Sequence, residues 1–226
     1  FLCVLRPPIS TLFPYTTLFR SVFLFRPARR EDPASHLLAL AAALLLFGVI
    51  VVRSLEIEFV ALTNTFESLV FYAGFIALLC FLYRVQRKVP FNGFVQFGAL
   101  MIALVLLALA FSPLAPRAVL PPIPALRSYW LVIHVALSFI GEAFFVVAFA
   151  ASLAFLVARE EQKKLLLDRI TYTSVAVGYP IFTAGALVFG AVWAEQAWGR
   201  YWSWDPKETW ALVTWQIGRA SCRERV

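Results

Sequence analysis

The sequence is poor in the residues that carry most soluble chemistry: three cysteines, two histidines, one methionine and 15% charged residues. Two of the cysteines are set aside at once. Residues 11–21 (TLFPYTTLFRS) and 217–226 (IGRASCRERV) read as translations of a sequencing-adapter oligonucleotide, one in each orientation. Such scars do not enter fold reasoning, and residues 1–10 lie upstream of the first. The expected organisation is therefore an adapter-derived end at 1–21, an internal fragment of a longer protein at 22–216, and a second adapter-derived end at 217–226. Cys3 and Cys222 fall in those ends. Cys80 remains, in an apolar run where a buried, inert thiol is expected. One cysteine builds no disulfide framework, and the redox compartment is not legible from it. There is no Cys-x-x-Cys-His, so the chain is not itself a c-type cytochrome.

The scarcity of charge excludes a soluble domain of this size. With 62% hydrophobic residues and a mean hydropathy of +0.80, there is too little polar surface to keep a globule in water. The implied class is all-α, a polytopic membrane helix bundle with no large soluble domain. Five long apolar runs occupy residues 36–52, 69–83, 94–111, 129–157 and 175–194, and a sixth begins near Pro206 and is cut off. A hydrocarbon core of about 30 Å needs about 20 helical residues, so each run is a plausible span, the second if extended or tilted. Only helices satisfy the backbone in lipid at these lengths.

Charge between the runs sets the orientation. Arg26, Arg29, Arg30, Arg84, Arg87, Lys88, Arg159, Lys163, Lys164 and Arg169 fall on one side, and Arg53, Arg117, Arg127, Arg200 and Lys207 on the other. The positive-inside bias puts the larger set in the cytoplasm and the loops holding Asn64, Pro121 and residues 198–210 outside. The net charge of +7 then needs no nucleic acid to explain it. Lys163–Lys164 reads as a solvated cytoplasmic loop against anionic lipid.

What the sequence has in excess is tryptophan, and it has it in one place. Six of seven tryptophans lie between Trp193 and Trp215. An interfacial aromatic belt explains one or two per helix end, and explains six in one stretch poorly. Within WGRYWSWDPKETW (198–210), Trp198, Tyr201 and Trp202 have i, i+3, i+4 spacing, so a short helix would put them on one face. Asp205 is a good N-cap, Pro206 suits the first helical position, and Glu208 can complete a capping box. The expected result is a flat aromatic shelf near the membrane surface, pinned by a helix start. Such a shelf suits a large planar apolar ligand.

These residues resemble a known family. AVWAEQAWGRYWSWDPKETWALVTW (191–215) is similar to the Trp-Trp-Asp signature of the cytochrome c assembly proteins, in the CcsA/ResC form of the system II pathway. LTNTFESL (62–69) is similar to a second family segment, and PALRSYWLVIHV (124–135) to the segment carrying a haem-ligating histidine. The resemblance implies haem b held at the extracytoplasmic face and presented to the Cys-x-x-Cys-His of apocytochrome c. It implies a second membrane subunit of the CcsB/ResB type, the two together forming a haem lyase or synthase. It implies a bacterial plasma membrane, or a thylakoid membrane if the source is a plastid. The site residues it implies are His134 as axial ligand to the haem iron, with Trp198, Tyr201, Trp202, Trp204 and Asp205 as the haem-binding surface. The family's further histidines, one of them the second external ligand, would lie past this fragment, so the fragment alone is expected to bind haem weakly or not at all.

Other polar positions have two readings each. His134 lies roughly 8 Å below the outer end of its run. It is either a packing histidine or, since ionisable groups in lipid are costly, a functional one. His36 reads as a solvated helix-end residue. Glu142, about 80° round the helix from His134 and some 12 Å deeper, is a contact to a propionate-side network, part of a proton path, or a group paired or neutral inside the bundle. Asn64 and Glu67 line an outer cavity or cap the second helix. Pro113, Pro116, Pro121, Pro122 and Pro124 keep the outer loop from being helical. The nearest rival reading is a system I haem-handling protein, against which residues 206–210 argue. A rival of another class is a non-haem membrane transporter or scaffold, for which only Glu142 speaks.

Overall fold

Helix follows helix because the apolar runs leave the backbone no other partner in lipid. In this computed structural model, residues 33–86 and 92–223 are described, with side chains for 37–86 and 92–221. The helices are α1 (Pro33–Glu56), α2 (Thr65–Val85), α3 (Gly93–Ala110), α4 (Tyr129–Val157), α5 (Glu161–Phe182), α6 (Gly190–Trp198) and α7 (Pro206–Arg223). A 3₁₀ turn at Pro124–Leu126 precedes α4, and a π-helical segment at Thr183–Phe189 joins α5 to α6 without a break. Among the described residues there is no strand. The chain is an all-α membrane protein.

Five spans are long and apolar enough to cross a bilayer: Leu37–Glu56, Thr65–Val85, Gly93–Ala110, Tyr129–Val157 and Glu161–Trp198. α7 is helical too but is not among these five spans. The second span gains the turns that its short apolar run lacked. The fifth differs more from expectation. It is one 38-residue rod, about 57 Å at 1.5 Å per residue, so its charged start projects beyond the hydrocarbon. Lys163 and Lys164 therefore sit on the first helical turns of that rod, not in a loop. Each is paired to an acid three residues back, Glu160 at 2.7 Å and Glu161 at 2.8 Å. Helix i, i+3 geometry brings these charges together, and such exposed pairs contribute little stability.

The packing inverts the soluble pattern. Large apolar side chains such as Leu44, Leu45, Phe97, Leu104 and Leu156 point outward, while Ala73, Ala99, Ala103, Ala143, Ala150 and Ala151 are buried between α2, α3 and α4. Small residues let backbones approach where lipid supplies no hydrophobic drive for association. Cys80 is fully buried in this core, as its apolar run implied.

The tightest seam runs between α4 and the α5–α6 rod. A Cβ on Gly178 would lie 2.9 Å from the Gly141 carbonyl oxygen, and one on Gly141 would lie 2.7–2.8 Å from Phe182. One on Gly185 would lie 2.5 Å from the Ser138 backbone nitrogen. No real side chain fits those gaps, so glycine is what permits the contact.

The α1–α2 turn, the loop before α4 and the end of α6 meet at one end of the bundle. Phe59 packs on Tyr129 at 5.4 Å, Ser128 donates to Gln196 at 3.4 Å, and Trp193 Nε1 donates to the Ala125 carbonyl at 3.3 Å. At the same end Arg53 pairs with Glu67 at 3.2 Å, reaches the Arg117 and Ala118 carbonyls, and lies 4.9 Å over Phe66. Asn64 caps α2, and Glu67 closes the box by accepting from the Asn64 and Thr63 amides. The capping reading of Asn64 and Glu67 therefore holds in the structure.

Candidate functional site

The site is built where that close seam reaches the tied end of the bundle. His134 projects from the second turn of α4 and is half-buried. Its Nδ1 lies 2.9 Å from the Gly185 carbonyl oxygen in the π-helical segment. Its ring is parallel to Trp193, with 3° between planes and 6.2 Å between centroids. A Cβ at Gly190 would come within 3.0 Å of the imidazole, so glycine there leaves the ring its place. Trp193 in turn meets Trp198 edge to face at 6.2 Å. The structure thus brings together one imidazole and two indoles from α4 and α6, the first pair parallel and the second edge to face. Trp130 and Phe189 stack at 5.9 Å beside them. Beyond Trp193 a cleft of about 440 Å³ opens outward, lined by Pro124, Ala125, Arg127, Tyr129, Trp130 and Gln196 among others.

The Trp-rich loop departs from the expected helix. α6 ends at Trp198, because Gly199 takes the left-handed conformation (φ 70°) and its amide bonds back to Glu195 at 2.8 Å. Trp198, Tyr201 and Trp202 are therefore not on one helical face. Trp198 belongs to the His134 group, whereas Trp202 pairs edge to face with Trp204 at 5.7 Å. Tyr201 is exposed in the turn between them. Trp202 keeps a buried indole N–H with no hydrogen-bond partner among the described residues. A donor left in this state costs free energy until an acceptor reaches it.

Asp205 does start α7. Its Oδ1 accepts from the Glu208 amide at 2.8 Å, and its carbonyl accepts from Thr209. Glu208, however, does not close the box onto Asp205. Its carboxylate reaches past it to the Ser203 amide at 2.7 Å and the Ser203 hydroxyl at 3.2 Å. The reason is Trp204, whose φ of 60° turns the chain so that Ser203 faces the helix start. A bulky residue in that region is uncommon and strained.

Two other sequence candidates lie apart. Glu142 is half-buried on α4, one turn past Phe139, which stacks on Tyr72 of α2 at 5.0 Å. His36 falls in α1, and its side chain is outside the described residues. Among the described residues no three His, Cys, Asp or Glu side chains converge as a metal cluster. Sequence reading missed Trp193, Gly185 and Gly190 as site residues. Trp193 was visible only as one more tryptophan. A carbonyl leaves no mark in a sequence.

A family described as cytochrome C assembly protein matches residues 62–223. The cytochrome c biogenesis protein CcsA of Chlamydomonas reinhardtii is 36% identical over 187 residues, covering 77% of this chain and 52% of the relative. That of Mesostigma viride is 34% identical over 191 residues, covering 69% and 61%. That of Heterosigma akashiwo is 30% identical over 228 residues, covering 79% and 69%. The chain thus spans just over half of the first of these and three fifths of the second.

Proposed function

The chain belongs to the cytochrome c assembly protein family, and from that premise we propose that it holds haem b at the extracytoplasmic face and presents it for attachment to apocytochrome c. The observation that carries this reading is His134, a lone imidazole on α4 aligned with the Trp193 plane at the end of the bundle where the Trp-rich loop emerges. A single ring nitrogen suits a metal that brings its own macrocycle, and imidazole is a common axial ligand of haem iron. The residues fit such a cargo in a second respect. Trp202 offers a buried N–H in want of an acceptor, and Trp198, Tyr201 and Trp204 expose aromatic surface along the same loop.

In this reading the chain supplies position, not bond-making groups. His134 would coordinate the iron, Trp193, Trp198, Tyr201, Trp202 and Trp204 would offer aromatic surface to the macrocycle, and Asp205 anchors the loop to α7. Haem vinyls and acceptor thiols supply the thioether chemistry. Holding the haem in one orientation at the outer face raises its effective concentration for an arriving thiol pair. The working assembly includes a second membrane subunit of the CcsB/ResB type, and the membrane is a bacterial plasma membrane or a thylakoid membrane.

The test is spectroscopic. The full-length protein that contains this segment, purified in detergent with its partner subunit, is expected to carry a Soret band. His134→Ala is expected to weaken that band by at least about tenfold at equal protein, the scale on which axial and neighbouring groups act. A His134→Ala protein with an unchanged Soret band and normal cytochrome c maturation would sink the proposal.

A further inference from the structure

We infer that the π-helical segment Thr183–Phe189 is a device that fixes His134 in one tautomer, with Nδ1 protonated and Nε2 free to coordinate. The inference rests on the haem reading for its purpose, but its geometry stands without haem.

In an α-helix the Gly185 carbonyl would accept from the amide of residue 189 and lie along the helix axis. Here it accepts from the Gly190 amide, five residues on, as a π-helical turn requires. The widened turn leaves that oxygen with a lone pair turned toward α4, where His134 Nδ1 sits 2.9 Å away. A carbonyl oxygen only accepts, so Nδ1 must carry the proton. A neutral ring then has its lone pair on Nε2. Two further contacts hold the ring to this carbonyl. Trp193 lies parallel to it, and Gly190 leaves it room at 3.0 Å. The approach is possible only because Gly185 itself has no side chain to strike Ser138.

The placement of the three residues on one rod gives the segment its purpose. The π turn brings Gly190 round to the side of Gly185, five residues back, and Trp193 follows Gly190 at i+3 on the α-helix beyond. Metal-ligating histidines commonly give their second N–H to a carbonyl, which orients the ring and raises its basicity. This chain obtains that carbonyl from a distorted helix in lipid, where no loop supplies one. Gly185 and Gly190 are therefore positioning residues that act through His134.

The chain has two histidines, so ¹⁵N-histidine labelling with His36→Gln leaves His134 as the one signal. In haem-free chain in detergent, the expected ¹⁵N pattern is that of a neutral ring protonated at Nδ1. Gly190→Ala, which pushes the ring off the carbonyl, is expected to give mixed tautomers, while Trp193→Phe keeps the parent pattern. An Nε2-protonated or already mixed ring in the parent chain overturns the inference, whatever the variants do. So does a Gly190→Ala chain whose tautomer is unchanged. In the haem-loaded full-length protein, Gly190→Ala is expected to weaken haem retention by about 10-fold or more. If His134→Ala retains haem while the Nδ1–H pattern holds, the haem reading falls and the tautomer assignment survives, so the two failures are distinguishable.

Discussion

Trp204 occupies a backbone conformation that costs about 1–2 kcal/mol for a residue with a Cβ. Two contacts oppose that cost. Asp205 accepts from the Glu208 amide on one side, and the Glu208 carboxylate holds Ser203 on the other. Bonds to a charged carboxylate contribute about 1.5–3 kcal/mol each, so the clasp outweighs the strain. The strained residue is also among the most exposed tryptophans. Substitution at this site should therefore trade stability against binding. Trp204→Gly is expected to raise unfolding stability by about 1 kcal/mol, since glycine takes φ > 0 freely, and to weaken haem binding. Glu208→Gln is expected to lower stability. Thermal unfolding by circular dichroism beside a haem titration checks both signs, and a Trp204→Gly protein less stable than the parent would show that the turn is not strained. At this scale the sequence was half legible. Asp205 as a cap depends on its immediate neighbours and was readable. The i, i+3, i+4 pattern of Trp198, Tyr201 and Trp202 assumes a helix that Gly199 ends.

The helices themselves were legible because span length and hydropathy are local properties. The five expected runs each fall in one of the five membrane-length helices, with ends moved by a few residues except in the fifth. The seam between α4 and the α5–α6 rod was not legible, since Gly141, Gly178 and Gly185 acquire meaning only when two helices are laid together. Nor does any residue pattern announce that Thr183–Phe189 widens to a π turn. The seam makes a sharp prediction. Gly185→Ala places a methyl 2.5 Å from the Ser138 nitrogen, backbone that cannot rotate away. Overpacking of this kind costs about 3 kcal/mol or more once a helix pair must separate. Gly48→Ala in α1 meets nothing within 4 Å and is the matched control. It is expected to gain about 0.5–1 kcal/mol from helix propensity. Reversible unfolding in mixed micelles measures both. Equal effects at the two positions would mean that the α4–α5 contact is looser than described.

At the scale of the whole molecule, one end of the bundle is tied together and the other is charged. The tied end gathers the α1–α2 turn, the loop before α4 and the end of α6 through Arg53–Glu67, Phe59–Tyr129 and Trp193–Ala125. Arg53 ends α1, where the helix dipole and Glu67 both favour a cation, so a structural role accounts for it without reference to membrane side. The opposite end carries Arg84, Lys163 and Lys164 in the terminal turns of their spans, and under the positive-inside bias that end is expected in the cytoplasm. The haem reading requires the tied end to face outward, so orientation tests it independently of any ligand. The exposed Arg200 and Gln162 are separated by one span, the Glu161–Trp198 rod. In a background with Cys3, Cys80 and Cys222 replaced by serine, Arg200→Cys is expected to react with a membrane-impermeant maleimide on intact cells. Gln162→Cys is expected to react only after permeabilisation. The reverse pattern would put the Trp-rich loop in the cytoplasm and remove the basis for presenting haem outside. Labelling of both from one side would mean that the rod does not cross the bilayer, and that His134 and Trp193 do not lie at an outer surface at all.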